Sequence, residues 1–287
     1  MFKQRVITAL ILAPLALMAV FYLPLAGFAI FISAAFLLGA WEWSGLCGLP
    51  GKSARVAYVA LTAVVLSLLY WQLPEQIQWP VESNVLLSSL LLAGLAWWLV
   101  AIVLVLTYPR SQRIWANRDW LKGLMGWLTL IPAWAAVLFI RSVDYNVSSF
   151  TGAWLIFSLL GLVWAADIGG YIVGKPFGKN KLLPKVSPGK TIEGMLGGLI
   201  LVAIVVTAVA YWQGWPQQVE VWYISAFLLT ILSVFGDLTE SMFKRVAGKK
   251  DSGAFLPGHG GILDRIDSLT ATAPLFAIIV ALFGGFY

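Results

Sequence analysis

The stretch Val6–Leu46 is apolar almost throughout, and it is far too long for one membrane crossing. At about 1.5 Å per residue a single helix of that length would run roughly 60 Å, twice the bilayer's hydrocarbon core of about 30 Å. The chain must therefore fold back once, and Pro24 with Gly27 marks the corner. Spans are expected near 6–23 and 25–46. Further apolar runs lie near 56–73, 85–108, 121–140, 154–173, 195–212, 219–240 and 266–286. The pattern predicts an all-α, polytopic integral membrane protein of about nine transmembrane helices, folded as one membrane domain over residues 1–287.

Composition agrees. Hydrophobic residues make up 60% of the chain and charged ones 11%, against about 45–50% and about 25% in soluble domains. That excludes an ordinary soluble enzyme, a disordered chain and a nucleic-acid binder. The single cysteine, Cys47, allows no internal disulfide, and with His259 as the only histidine there is no zinc-type cluster. The first apolar run follows Lys3 and Arg5 and continues into further apolar sequence, so it reads as a retained span rather than a cleaved signal.

The basic residues test the topology. With the N-terminus in the cytoplasm, all of the 19 lysines and arginines except Arg141 fall in loops on that side, while the loops near 74–84 and 213–219 contain none. The positive-inside rule produces this asymmetry, and an odd number of spans puts the C-terminus outside. The net charge of +6 then records topology, not a nucleic-acid partner. Trp71, Trp79, Trp212 and Trp215 lie near span ends, where interfacial aromatics gather.

The two halves differ. Residues 1–150 have short, plain loops and read as scaffold helices; polar residues gather in 151–287, in two cytoplasmic loops and the helix ends beside them. The first constellation holds Asp167 in an apolar helix, then Lys175, Lys179, Lys181, Lys185, Ser187, Lys190 and Thr191 among glycines. An acid in a bilayer is costly and faces either a polar cavity or a structural ion partner. The lysine-glycine loop suits phosphate, gripped through ammonium and backbone N–H groups, or equally a solvated face against anionic lipid.

The second constellation is denser. Asp237, Ser241 and Lys244 share a helix face. Lys250, Asp251 and His259 follow, then Asp264, Arg265 and Asp267, with Asp264 and Asp267 on one face if the last helix has begun. Three carboxylates without zinc-type ligands suit Mg²⁺; a salt-bridge network between helix ends is the structural alternative. Asp167 and Asp237 each precede their loops by two helical turns, roughly 10 Å inside the cytoplasmic boundary. All four aspartates therefore border one polar cavity in the inner leaflet.

The run Ser241-x-Phe-Lys244-Arg245-x4-Lys250-Asp251-x-Gly253-x2-Leu256-Pro257-x-His259-Gly260-Gly261-Ile262-x-Asp264-Arg265-Ile266-Asp267 resembles, at every fixed position, the signature of phosphatidate cytidylyltransferases (CDP-diacylglycerol synthases). Asp167–Gly194 is also similar to the bacterial members, whereas the first 150 residues resemble them only in hydropathy. The resemblance implies cytidylyl transfer from CTP to phosphatidate, at a cytoplasm-facing site in a bacterial inner membrane. It implies Asp237 and Asp264 as metal ligands with Asp267 beside them, Mg²⁺ as cofactor, a second monovalent cation such as K⁺, and a homodimer. In that frame Asp237, Asp264, Asp267 and Lys244 carry the chemistry. Asp167, Ser187, Lys190, Thr191, Ser241, Arg245, Lys250, Asp251, His259 and Arg265 would contact substrate. The rival readings are another membrane enzyme acting on nucleotide-linked or phosphorylated lipids, such as a CDP-alcohol phosphotransferase, whose Asp-Gly-x2-Ala-Arg motif is absent, or a cation-coupled transporter.

Overall fold

Pro24 turns the chain where the long apolar run has to fold back. Helix α1 (Phe2–Tyr22) ends before it and α2 (Leu25–Cys47) starts just after, with Pro24 in extended backbone (φ −63°, ψ 159°) as the N-cap. The computed structural model describes residues 2–72, 84–215, 217–256, 258 and 260–284, and among the first ten residues the side chains of Thr8 and Leu10 only. The order continues α3 (Gly51–Gln72), α4 (Val85–Leu106), the single turn α5 (Gln112–Trp115), α6 (Asp119–Ser142) and α7 (Thr151–Phe177). Strands β1 (Lys181–Leu183) and β2 (Ser187–Thr191) come next, followed by α8 (Ile192–Trp212), α9 (Val219–Val246) and α10 (Leu263–Phe283). Among the described residues 8 helices are long and apolar enough to cross a membrane, and α1 adds the apolar segment Leu10–Tyr22. Each expected apolar run is thus matched by a helix.

Helix α6 is the axis of the bundle: 78% of its most apolar window is buried, against 11% for the peripheral α3. It packs on α2, α4, α7 and α10, so the two halves of the chain interlock. Buried indoles pin the helices together by donating across them: Trp43 Nε1 to Lys122 O (2.9 Å), Trp98 Nε1 to Thr270 O (3.0 Å) and Trp134 Nε1 to Ser33 Oγ (2.9 Å). In a lipid solvent such hydrogen bonds have no water competing for them. Of the tryptophans expected at the interface, Trp71 and Trp212 are each 87% exposed and Trp215 is exposed too; Trp79 lies outside the described residues.

Helices α7 and α8 meet along a glycine seam. A Cβ on Gly169 would stand 2.5 Å from Gly197 O, and one on Gly198 2.7 Å from Ala166 O, so only glycine permits this approach. The loop between them is a small antiparallel hairpin, Lys181 opposite Thr191 and Leu183 opposite Ser187. Thr191 ends it as N-cap of α8, its Oγ1 accepting from Gly194 N at 3.1 Å. Arg141, the basic residue expected to lie outside the cytoplasmic loops, is 1% exposed. Its guanidinium donates to Val20 O (2.8 Å), Leu23 O (3.2 Å) and Ser149 O (2.9 Å), tying the α1–α2 corner to the start of α7.

Candidate functional site

The C-terminal end of α9, the N-terminal end of α10, the polar end of α7 and the hairpin converge. On α9, Asp237 accepts from Ser241 Oγ one turn later (3.2 Å) and is bridged by Lys190 Nζ of β2 at 2.8 Å. Lys190 also reaches Val234 O at 3.4 Å. Lys244, two turns beyond Asp237, crosses to α10 and meets Asp264 Oδ1 at 2.6 Å. The face shared by Asp237, Ser241 and Lys244 is therefore present, and its acid and its ammonium bind different partners.

Asp264 is the most completely held carboxylate. Besides Lys244, its Oδ2 accepts from Ser252 N (3.0 Å), Ser252 Oγ (2.9 Å) and Gly261 N (2.8 Å). Its neighbour Asp267 accepts from Ser268 N at 2.6 Å and lies beside the Glu240 carboxylate. Glu240 is 3% exposed, and among the described residues no donor makes a hydrogen bond to either of its oxygens; Lys244 Nζ stands 3.5 Å from Oε1. Two carboxylates facing each other repel when both are ionised, so this pair either shares a proton or takes up a cation.

Asp167 opens onto a cavity of about 380 Å³ between α7, α8 and the hairpin, lined also by Tyr171, Lys175, Lys190, Thr191 and Thr230. Its charge is within electrostatic reach of Lys190, Asp237 and Arg265. Lys190 thus connects the cavity to the α9–α10 acid cluster.

Ser187 opens β2, and the exposed Lys250 and Asp251 sit on the loop before α10. Arg245 is turned to the hairpin, its Nε donating to Val186 O at 3.1 Å. Thr191 is buried as a helix cap, leaving its hydroxyl proton to donate. His259 lies outside the described residues. Two residues of the constellation escaped the sequence reading: Ser252 and Glu42. Glu42, on α2, accepts from Ile262 N (3.1 Å) and Leu263 N (2.8 Å). An acid inside an apolar span was the available signal for it.

Could the cluster hold a divalent cation? Its donors are hard carboxylate oxygens, and five acids (Asp167, Asp237, Glu240, Asp264 and Asp267) share Lys190, Lys244 and Arg265. The orphaned Glu240 oxygens point the same way. Among the described residues no three such side chains close on one point as a finished metal cage. The fit is one of charge and donor chemistry, with ligands left for a phosphate to complete.

Comparison with known proteins follows the same line. Residues 3–283 match the family model described as "Cytidylyltransferase family". A Pseudomonas aeruginosa protein named phosphatidate cytidylyltransferase is 47% identical over 281 residues, covering 98% of this chain and 97% of its own. Proteins of the same name from Haemophilus influenzae and Bacillus subtilis are 38% and 34% identical, covering 96% and 81% of this chain and 98% and 83% of theirs.

Proposed function

Because the chain belongs to the cytidylyltransferase family, we infer that it transfers a cytidylyl group from CTP to phosphatidate, releasing pyrophosphate and leaving CDP-diacylglycerol in the membrane. The observation that carries the reading to particular residues is the meeting of Lys190–Asp237 with Lys244–Asp264 beside the Asp167 cavity.

The chemistry is in-line displacement. An oxygen of the phosphatidate monoester attacks the α-phosphorus of CTP, a new P–O bond forms, and the bond to the bridging oxygen breaks with its electron pair leaving on pyrophosphate. With a second pKa of about 6 the monoester is already largely dianionic at neutral pH, so no strong general base is needed. The difficulty is bringing two polyanions together and stabilising the charge that develops. Lys190 and Lys244 neutralise phosphate oxygens as they leave their carboxylate partners, with Lys175 and Lys250 drawing the nucleotide in from the exposed rim. Ser241 and Thr191 supply hydroxyl donors. Asp237 and Asp264, with Asp267 and Glu240 beside them, would hold Mg²⁺, which supplies a Lewis acid for the nucleotide phosphates. A monovalent cation such as K⁺ suits the remaining negative charge around Glu240.

The wider frame is a multi-pass protein of the bacterial inner membrane, N-terminus in the cytoplasm and C-terminus outside, its site open to cytosolic CTP and to inner-leaflet lipid. It acts as a homodimer and takes no nucleic acid. The gathering of acids at one end of the bundle, with no midplane broken helix among the described residues, favours an interfacial enzyme over a transporter. The test is CTP turnover on phosphatidate in detergent, with and without Mg²⁺. The expected result is lipid product only with both substrates and the metal; CTP left intact under all conditions would overturn the reading.

A further inference from the structure

Glu42 belongs to a helix with no part in the signature, yet its carboxylate is buried at 2% exposure against the loop that carries it. Helix α10 needs acceptors for its first N–H groups, and its own N-cap, Ile262, provides no side-chain bond. Glu42 supplies them from across the bundle: Oε1 accepts from Ile262 N and Oε2 from Leu263 N. The acid therefore also sits where the helix dipole favours negative charge.

The contact continues to the reacting end. Ser252 Oγ stands 3.0 Å from Glu42 Oε2 and 2.9 Å from Asp264 Oδ2, so its single proton is shared between the two carboxylates. Two signature glycines acquire a reason. A Cβ on Gly253 would strike the Glu42 carboxylate, and one on Gly261 would strike both Glu42 and Ser252 Oγ. The loop carries glycine at these points because Glu42 fills the space where side chains would go.

We propose that Glu42 is a positioning residue for the transfer reaction: through Ser252 and the first turn of α10 it fixes where Asp264 points. The role rests on the reaction assigned above, and it gives the first half of the chain a part in the site. Outer partners of this kind change activity by about 10–100-fold when removed.

Wild-type protein, Ser252→Ala, Glu42→Gln and the double variant are purified in detergent. Their kcat and KM for CTP on phosphatidate are compared with their thermal unfolding midpoints. Ser252→Ala keeps the Glu42 bonds to α10, so its kcat should fall about tenfold while its midpoint moves by less than about 4 °C. Glu42→Gln sets an amide N–H₂ against backbone donors and should lose more. The double variant should be no slower than Glu42→Gln alone, since both break one link. A Ser252→Ala protein with wild-type kcat overturns the role, even if Glu42→Gln fails to fold; so do losses that multiply in the double variant. Wild-type protein that makes no CDP-diacylglycerol overturns the reaction itself, and the role with it.

Discussion

Asp264 and Glu240 share one lysine, and their surroundings could hardly differ more. Lys244 Nζ is 2.6 Å from Asp264 and 3.5 Å from Glu240. Asp264 gathers Ser252 N, Ser252 Oγ and Gly261 N as further donors; Glu240 gathers none among the described residues. One carboxylate is held ready by α2, the loop and α10. The other lies against the Asp267 carboxylate. The contrast separates two surroundings within one polar cluster: the Asp264 wall is fixed by donors, and the Glu240–Asp267 wall sets two carboxylates together, to share a proton or a cation.

The largest test removes the shared cation. Lys244→Met leaves two buried carboxylates without it and should cost about 3–5 kcal/mol of stability, read by denaturant or thermal unfolding in detergent. Adding Glu240→Gln should recover part of that loss, because one stranded charge is gone. A stable Lys244→Met protein would break the contrast at its hinge.

Glu240→Gln alone should have a smaller effect of opposite sign. Removing the charge that faces Asp267 should stabilise the protein by about 1 kcal/mol, and under the proposed metal-holding role CTP turnover should fall. Destabilisation by this change would mean that Glu240 is satisfied after all. The smallest effect is expected from salt. Screening shortens from about 10 Å at 0.1 M to about 3 Å at 1 M, so KM for CTP should rise a few-fold through the exposed Lys175 and Lys250, with kcat nearly constant. Buried Lys244 is shielded from that change. A salt-dependent kcat would place the rate-limiting electrostatics at the exposed rim.

Much of the architecture was legible because a bilayer allows few solutions: apolar length predicts the helices and Pro24 predicts the corner. The hairpin was not. Ser187–Thr191 contains Pro188 and Gly189, poor strand formers, and it becomes a strand only by pairing with Lys181–Leu183. Asp237, Lys244 and Asp264 could be brought to one polar cluster from helix spacing, whereas the cavity itself is lined by Asp167 and Lys190. That Lys190 pairs with Asp237, and Lys244 with Asp264, depends on how the hairpin and α10 dock on α9. Glu42 was hidden for the same reason: Ser252 lies 210 positions further on, and no local period reports such a neighbour. Arg141, read only as the exception to the loop rule, is a buried tie between α1 and the α6–α7 corner.

The central claim is that the Asp264 wall performs the cytidylyl transfer. Its most direct measurement is formation of CDP-diacylglycerol from labelled CTP and phosphatidate by wild-type protein and Asp264→Asn, each verified as folded by its unfolding midpoint. The account predicts robust product from wild type and a loss of at least about 100-fold in the variant. A folded Asp264→Asn protein turning over CTP at the wild-type rate would contradict it.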